Sequence, residues 1–413
     1  MFRALFVAML RQIVKSGRLS LVDHDGTTAD IGDISAPPLI VKMHDRRVAY
    51  DVVRNPFLAL GEAYMDGRLT VENGGIADLL ELFARNMRAD TGGGYLAALA
   101  KLNALTRRLS RGNSRARAKA NVAHHYDLTG KLYDLFLDQD KQYSCAFFES
   151  PTDTLETAQR NKKRRIAAKL ELKSGQKVLD IGSGWGGLGV HLAAAAAGVD
   201  VTGITLSEEQ LKISNARASS LGLADRVRFR LEDYRQTAGR FDRIVSIGMF
   251  EHVGAAHYDE YFRRIAELLD DNGVALIHSI GRSDGPGVTN AWIKKYIFPG
   301  GYVPALSEVL PAVERAGLIV TDVEILRLHY AYTLAEWRRR FTANRERAAR
   351  LYDERFCRMW EFYLAGAEMA FRYQAQMVFQ LQLAKKVDAL PIVRDYMLPA
   401  EAPEILKALG HRL

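Results

Sequence analysis

A glycine-rich turn is the segment of this sequence whose residue types point most directly to chemistry. It reads DIGSGWGG from Asp180 to Gly187 and follows a short apolar run. Glycines placed after a strand let the backbone turn tightly and approach a ligand that larger side chains would exclude. Gly182, Gly184 and Gly186 are therefore candidate contacts for a bound cofactor.

Two details separate the cofactors that such a turn can bind. The glycine spacing also fits a dinucleotide-binding fingerprint, which alone is a weak signal. Asp180 stands before the first glycine, where a carboxylate can face the positively charged methionine end of S-adenosylmethionine. The next strand ends at residues 203–207 (GITLS) without the acid that would bind an NAD ribose. The turn therefore favours S-adenosylmethionine.

An acidic residue and an aromatic residue follow a later apolar segment. Asp233 and Tyr234 come shortly after residues 227–231. A carboxylate there can accept a hydrogen bond from the adenine amino group, with the aromatic ring stacked nearby. An ordinary acidic loop explains this segment equally well when it is taken alone.

Alternating strands and helices must position these residues. The sequence predicts strands at 177–181, 200–205, 227–231, 243–248 and 274–280. It predicts helices at 188–197, 207–220 and 258–269. Such alternation implies a parallel sheet with helices on both faces, and residues 378–383 are expected to form a closing antiparallel strand. The expected fold class is α/β, a Rossmann-like class I S-adenosylmethionine methyltransferase fold.

A small α+β unit is predicted before this region. Extended segments are expected at 18–22, 39–43 and 47–53, and helices at 55–64 and 76–86. A chain of 413 residues is long enough for two domains. We expect an N-terminal α+β domain of residues 1–100, a basic linker of residues 101–120 and a catalytic domain of residues 121–413.

Basic residues outnumber acidic residues and give the chain a net charge of +8 at pH 7. This balance favours an anionic partner. The basic residues cluster at 101–119, 160–165 and 338–350. Any single cluster is best explained as a solvated helical face, but the three together favour a surface-binding role, with nucleic acid and anionic lipid headgroups as candidate partners.

The N-terminal segment predicts an amphipathic helix that packs on the body of the protein. Its apolar residues, within positions 1–14, are interrupted by Arg3 and Arg11, and no small-residue cleavage site follows. A secretory signal is therefore not expected. No apolar run approaches the roughly 20 residues that span a bilayer. We expect a cytoplasmic protein that touches a membrane without crossing it.

Cysteine and histidine usage indicates neither a disulfide framework nor a metal site. The two cysteines, Cys145 and Cys357, are too few for a framework and suggest a reducing compartment. His124 and His125 stand side by side, but no third ligand has suitable spacing. We expect no bound metal.

An ordered set of short motifs extends from residue 121 toward the C-terminus. They are HHYD at 124–127, YSCAFF at 143–148, the glycine turn, GITLS at 203–207, SIGMFEHVG at 246–254, IHSIG at 277–281, YIFPGG at 296–301 and HYAYTL at 329–334. This collection resembles the cyclopropane-fatty-acyl-phospholipid synthases, relatives of the mycolic acid cyclopropane synthases. The glycine turn has Ser183 where many members carry cysteine, a small departure.

The resemblance implies transfer of a one-carbon unit from S-adenosylmethionine to a cis double bond in a phospholipid acyl chain. The π electrons of the alkene attack the sulfonium methyl group, and the resulting cation loses a proton as a cyclopropane ring closes. The resemblance also implies a bound bicarbonate ion as the general base. Its binding set maps onto Cys145, Glu251, His278, Ile280 and Tyr330, with mainly backbone groups from Cys145 and Ile280.

Further implications of the resemblance concern the cofactor and the partners. Cofactor contacts map onto Tyr143, Ser144, Gly182, Gly184, Thr205, Gln210, Asp233 and Tyr234. The expected partners are unsaturated phospholipids at the inner face of the membrane, with anionic lipid favoured, and a second copy of the chain in a homodimer. In relatives the N-terminal domain engages lipid, and the aromatic residues of segment 337–371 would then help to form an acyl tunnel.

Elementary chemistry is consistent with the implied anion site. Glu251 follows one predicted strand and His278 lies near the end of another, so both can converge at the carboxyl edge of a sheet. A carboxylate can accept a hydrogen bond from a protonated imidazole, and tyrosine rings can stabilise a transient cation. Taken singly, His278 is more often a core histidine, Glu251 a helix cap and Tyr330 a packing residue.

Three alternatives remain at this stage. The same cofactor and lipid can give a branched methyl or methylene product on the acyl chain. A small-molecule N- or C-methyltransferase shares much of this motif set, although the extra N-terminal domain and the complete bicarbonate set argue against it. A non-enzymatic lipid- or nucleic-acid-binding protein would use the basic clusters but has no need of the glycine turn. We expect no nucleic-acid partner.

Overall fold

The computed structural model describes residues 2–87 and 130–398. The first basic cluster, the expected linker 101–120 and the pair His124 and His125 lie outside the described residues. The described residues form two compact units. The first unit contains residues 2–87, 288–299 and 331–376, and the second contains residues 130–287, 300–330 and 377–398.

The helices and strands alternate along most of the described chain. In order they are α1 (Phe2–Ile13), β1 (Arg18–Val22), β2 (Thr28–Gly32), β3 (Pro38–Met43), α2 (Val48–Arg54), α3 (Pro56–Met65), β4 (Leu69–Glu72), α4 (Ile76–Asn86), α5 (Gly130–Tyr133), α6 (Leu155–Lys169), β5 (Lys177–Ile181), α7 (Gly187–Ala195), β6 (Asp200–Thr205), α8 (Glu208–Ser220), β7 (Val227–Leu231), β8 (Phe241–Ile247), α9 (Tyr258–Leu268), β9 (Leu269–Arg282), α10 (Ala291–Tyr296), α11 (Leu306–Arg315), β10 (Ile319–Ile325), α12 (His329–Ala343), α13 (Arg345–Leu351), α14 (Glu354–Tyr373) and β11 (Gln376–Ala384).

A four-stranded sheet lies in the first unit, with strand order β2-β1-β3-β4. The strand β1 pairs antiparallel with β2 and parallel with β3. The helix α1 buries Phe6, Val7, Met9 and Leu10 in the core of this unit, which confirms the predicted amphipathic helix. The aromatic helix α14 contributes Ala365 to the same core.

One predicted strand of the first unit is wrong. Residues 47–53 were expected to be extended, but Val48–Arg54 forms the helix α2. The buried residues Val48 and Val52 lie four positions apart, as do Ala49 and Val53, so a helix places them on one apolar face. Burial thus overrides the β propensity of valine. The strands β2 and β4 were not predicted, since neither has a long apolar alternation.

A seven-stranded sheet lies in the second unit, with strand order β10-β11-β9-β8-β5-β6-β7. The strand β5 pairs parallel with both β6 and β8, and the parallel series extends to β7 and β9. The late strand β11 pairs antiparallel with β10. The α/β class and the Rossmann-like methyltransferase fold are therefore confirmed. The strand β10 was not predicted from the sequence.

The position of β5 determines where a ligand can bind. The chain runs from β5 outward through β6 and β7, then returns to the other side of β5 to form β8. This reversal is a topological switch point, and ligands of open α/β sheets bind in the crevice beyond the carboxyl ends of strands there. Four of the five β5 residues are buried, as expected for a strand covered on both faces.

The structure does not place the second basic cluster on an open surface. Lys162 and Lys163 are 1% and 5% exposed, and Lys163 forms an ion pair with the buried Asp140. Arg165 pairs with Glu324 at 2.6 Å. The interpretation of residues 160–165 as a headgroup-binding cluster is therefore wrong for Lys162, Lys163 and Arg165, because the first is buried and the other two pair with acids of the same unit.

Most of the third basic cluster is also paired with acids of its own unit. Arg338 contacts Glu368 at 2.9 Å, and Arg339 and Arg340 both contact Glu336. Arg345 bonds to Glu354 and Glu361. These pairs reduce the free positive charge available to a partner.

Within residues 2–87 and 130–398, no helix combines the length and the apolar character needed to cross a bilayer.

Candidate active site

A cleft opens at the carboxyl ends of β5, β6, β7 and β8. Nine of the ten residues predicted to bind the cofactor line it: Tyr143, Ser144, Asp180, Gly182, Gly184, Thr205, Gln210, Asp233 and Tyr234. Their contact with a cofactor stays a prediction, but the fold brings them around one space. This space lies at the switch point of the sheet, where such a ligand is expected.

The glycines of the turn have different roles. Gly184 has a φ of 54°, and no heavy atom lies within 4 Å of the position that a β-carbon would take. This position is open, and Gly184 lines the cleft. Gly186 does not line the cleft. It packs against the protein interior, where an added β-carbon would lie 2.7 Å from both Phe229 and Ser214. Its backbone φ of 82° and this close packing require glycine for structural reasons.

Asp180 is a buried carboxyl at the end of β5. Its side chain is only 2% exposed, and its Oδ2 atom has no hydrogen-bond partner among the described residues. Burial raises the pKa of Asp180 to about 7, and the nearby Lys162 partly opposes this rise. A buried carboxylate without a partner is destabilising. A ligand with a cationic end would supply the missing partner, so the site fits S-adenosylmethionine.

The polar wall on the β6 side is set by one hydrogen bond. Thr205 Oγ1 donates to Gln210 Oε1 at 2.8 Å. The helix α8 begins just before Gln210 because Ser207 accepts a hydrogen bond from the Gln210 backbone N–H. The Gln210 side-chain oxygen is thereby engaged, and its amide nitrogen is left as the donor of this wall.

Asp233 and Tyr234 occupy the loop after β7. Both carboxylate oxygens of Asp233 accept hydrogen bonds from Arg235, at 2.8 and 2.6 Å. The Tyr234 ring packs edge-on against Tyr261, with the ring centroids 5.2 Å apart. Arg235, which the sequence analysis did not single out, therefore orients the acid that was predicted to contact adenine.

The helix α6 holds the segment that forms the opposite wall. Lys162 Nζ donates to Gln142 Oε1 at 2.7 Å and to Ser144 Oγ at 2.8 Å. Gln159 Nε2 donates to the backbone oxygen of Ser144 at 3.0 Å. Sequence reasoning missed both α6 residues, since Lys162 was counted in a surface cluster. No local pattern indicated either residue, because their partners Gln142 and Ser144 lie 15 to 20 residues away along the chain.

A second group of predicted residues lies beside the cleft, at the ends of β8 and β9. Glu251 is buried in the turn Phe250–His252, and its neighbours Met249 and His252 line the cleft. Glu251 Oε1 accepts the Ile280 backbone N–H at 2.6 Å. Glu251 Oε2 has no hydrogen-bond partner among the described residues, and burial raises the pKa of the carboxyl to about 7.

His278 is a buried histidine, only 2% exposed. Its Nδ1 lies 3.1 Å from Gln380 Nε2. Burial lowers the pKa of His278 to about 3, and the positive charges of Lys162 and Lys169 act in the same direction. Burial therefore disfavours the protonated imidazole considered beside Glu251, in a region that already contains two cations.

Two other residues assigned to the anion site are also buried. Cys145 is 1% exposed and lies directly after Ser144, while Tyr330 is 7% exposed at the second position of α12. The adjacent His329 accepts the Phe148 backbone N–H at 3.1 Å. This bond connects the start of α12 to the segment that contains Cys145.

Comparison with known families agrees with this geometry. The family described as mycolic acid cyclopropane synthetase matches residues 113–381, more than half of the chain. The chain belongs to this family. A second family, described only as a domain of unknown function, matches residues 8–90. The suspected kinship with cyclopropane synthases is thus confirmed, and the chain is an S-adenosylmethionine-dependent methyltransferase of this family.

Three curated relatives illustrate the range of the family. A probable fatty acid methyltransferase of Pseudomonas putida is 43% identical over 60% of this chain and 65% of its own length, so the chain spans slightly less than two thirds of that relative. The tuberculostearic acid methyltransferase UfaA1 of Mycobacterium tuberculosis is 35% identical over 92% of this chain and 90% of its own length. The cyclopropane-fatty-acyl-phospholipid synthase of Escherichia coli is 37% identical over 82% and 85%.

A solved structure of a family member is similar to almost two thirds of this chain. The mycolic acid cyclopropane synthase CmaA1, in complex with SAH and CTAB, gives a TM-score of 0.61 at 34% identity. The match covers 64% of this chain and 97% of that protein. A member of the family thus binds the demethylated product of S-adenosylmethionine, in agreement with the use of S-adenosylmethionine as co-substrate by this chain.

Proposed function

We propose that this family member transfers a methylene unit from S-adenosylmethionine to the cis double bond of unsaturated phospholipid acyl chains, forming a cyclopropane. The observation that carries the proposal is the buried Glu251, which adjoins the cofactor cleft and has one oxygen without a protein partner among the described residues. Methyl transfer to an alkene creates a cation that must lose a proton, so such an enzyme needs a proton-accepting group at this position.

A bicarbonate ion is the proposed proton acceptor. Burial is the main cause of the lowered pKa of His278, and the charges of Lys162 and Lys169 add to it, which supports a positive potential at this position. Such a potential favours an anion. The pKa of Glu251 lies near 7, so its carboxyl can carry the proton that a carbonate oxygen accepts as a hydrogen bond. The Ile280 amide donates to Glu251, so it orients this carboxyl instead of serving as a free donor.

The remaining proposed residues have positioning and binding roles. Tyr330 and Cys145 would complete the anion site, with Cys145 contributing backbone groups. The cleft residues at the ends of β5, β6 and β7 would hold the cofactor. The proposed domain roles are lipid engagement by residues 1–100, a linker at 101–120 and catalysis by residues 121–413. A homodimer in the cytoplasm, attached to the inner face of the membrane and favouring anionic lipid, completes the proposal.

Purified protein with S-adenosylmethionine and unsaturated phospholipid vesicles should yield acyl chains heavier by one CH₂, measured by mass spectrometry. Glu251→Gln cannot exchange the proton and should lower turnover by about 100-fold or more. Asp259→Asn, an exposed residue on α9 that pairs with Arg315, is the matched control and should retain turnover. Wild-type turnover of Glu251→Gln would rule out the proposed base site.

A second outcome on the same lipids is favoured by a specific relative. UfaA1 is similar over 92% of this chain and is named for methylation of an acyl chain and not for a ring. A methyl or methylene branch would arise if the intermediate cation lost a different proton or was later reduced. Ring-sensitive fragmentation of the product separates the two outcomes, and a branched product would replace cyclopropanation as the conclusion.

A further inference from the structure

Lys162 is a buried cation that contacts the cleft only through other residues. It lies on α6, is 1% exposed, and donates hydrogen bonds to Gln142 Oε1 and Ser144 Oγ. Both acceptors line the cleft beside Asp180, whereas Lys162 itself is not part of the lining. A buried lysine that adjoins a ligand site in this way needs an explanation beyond packing.

The charged surroundings keep Lys162 protonated near neutral pH. Burial lowers its pKa to about 8, while Asp138 and Asp140 oppose this effect. The other titratable groups that act on it, or on which it acts, are Lys163, Cys145, Asp180 and His278. An ammonium group has three donors and no acceptor. Every group that bonds to Lys162 must therefore accept.

This requirement fixes the direction of the Ser144 hydroxyl. Because Ser144 Oγ accepts from Lys162, its single proton must point to another acceptor. Among the described residues, Ser144 Oγ makes no hydrogen bond besides the one that it accepts from Lys162, and the Gln142 amide is engaged with Lys162 and with Asp140 Oδ2 at 3.0 Å. The side-chain hydroxyl of Ser144 is thus left as a donor at the wall of the cleft.

We propose that Lys162 is a positioning residue that fixes the Ser144 hydroxyl as a hydrogen-bond donor to the carboxylate of the methionine end of S-adenosylmethionine. Asp180, on the same cleft, would face the cationic groups of that end. The two walls then recognise the two charges of the amino acid moiety separately. The inference rests on the proposed cofactor contact of Ser144 and is independent of which lipid accepts the carbon unit.

The test compares S-adenosylmethionine with its decarboxylated analogue by titration calorimetry on the full chain. The wild type should bind the analogue about 10-fold or more weakly than S-adenosylmethionine, since a charge-assisted hydrogen bond is lost. Ser144→Ala should lose affinity for S-adenosylmethionine and bind the analogue almost as the wild type does. Equal losses for both ligands would overturn the proposal.

Lys162→Met tests the positioning role, with Lys162→Arg as the conservative rescue. If Lys162 acts through Ser144, the double variant Lys162→Met/Ser144→Ala should bind S-adenosylmethionine no more weakly than Ser144→Ala alone. Additive losses would contradict the proposal. Arginine keeps the donors and should restore part of the discrimination against the analogue. Failure of these binding tests leaves the vesicle assay for lipid modification unaffected, so the two proposals fail separately.

A pH titration keeps the proposal testable if Lys162→Met does not fold. Above about pH 8 the deprotonated lysine gains a lone pair and can accept the Ser144 proton. The affinity of the wild type for S-adenosylmethionine should then fall more steeply than that of Ser144→Ala, in which only titration of the ligand remains. Identical profiles above pH 8 would overturn the inference.

Discussion

Asp180 and Glu251 are both buried carboxyls, and burial raises the pKa of each to about 7. Their environments differ in the partner that is missing. Asp180 faces the cleft, where a cation would stabilise its ionised form, while Glu251 is held by the Ile280 amide beside a region of positive potential. Two similar residues can therefore serve cofactor binding and proton handling, because a cationic ligand is the missing partner of Asp180, whereas a backbone amide already holds one oxygen of Glu251.

The charge of Asp180 predicts a pH dependence of cofactor binding. Because its pKa is raised to about 7, the carboxyl is largely protonated at pH 6 and ionised at pH 8. A cationic ligand prefers the ionised form, so affinity for S-adenosylmethionine should rise with pH by up to about tenfold per pH unit below pH 7. Calorimetry across this range measures it. Asp180→Asn should bind more weakly and show no rise, and a rise that persisted in this variant would contradict the assignment.

The glycine turn shows how an element distributes its residues between binding and packing. Both Gly184 and Gly186 have positive φ angles, but their surroundings differ. The space for a β-carbon at Gly184 is open, whereas Phe229 and Ser214 occupy the space for a β-carbon at Gly186. The same residue type therefore serves access in one position and close packing in the other.

A pair of matched substitutions tests this difference. Gly186→Ala should destabilise the protein by about 2 kcal/mol or more, because the strained φ angle and the clash with Phe229 both add to the cost. Gly184→Ala should cost about 1 kcal/mol, from the φ angle alone, and should weaken cofactor binding because its methyl group enters the cleft. Thermal unfolding and calorimetry measure the two effects. Equal losses of stability in the two variants would show that the close contacts at Gly186 add nothing to the cost of its φ angle.

The whole molecule has a net charge of +8, yet many of its arginines and lysines bond to acids of the chain itself. In two of the three basic clusters such pairs involve Lys163 and Arg165, and Arg338, Arg339, Arg340 and Arg345. Within the described residues, an electrostatic membrane interaction would therefore not rest on either of these two clusters as a whole.

Vesicle binding should weaken with salt if electrostatic attraction to anionic lipid holds the protein at the membrane. Binding to anionic vesicles, measured by co-sedimentation, should fall strongly between roughly 0.05 and 0.5 M salt, because exposed charges are screened over that range. Neutral vesicles serve as the control and should bind less protein at low salt. Binding that is independent of salt would exclude electrostatic attachment.

The sequence alone determined the core of the second unit and its cofactor. Short apolar runs before glycine or polar loops placed the strands β5, β6 and β7 at their observed bounds, since buried parallel strands leave a clear local pattern. Asp180 and the glycine turn after it indicated S-adenosylmethionine, because these residues are contiguous in the sequence. The ordered set of short motifs indicated the family to which the chain belongs.

Only the tertiary structure decided which charges and which apolar residues are buried. Residues 47–53 looked extended, but packing in the first unit made them helical. Lys162 looked like part of a surface cluster until the fold placed it against Gln142 and Ser144, 20 and 18 residues away. The partners of a buried charge come from separate segments of the chain, so no local pattern of residue types can reveal them.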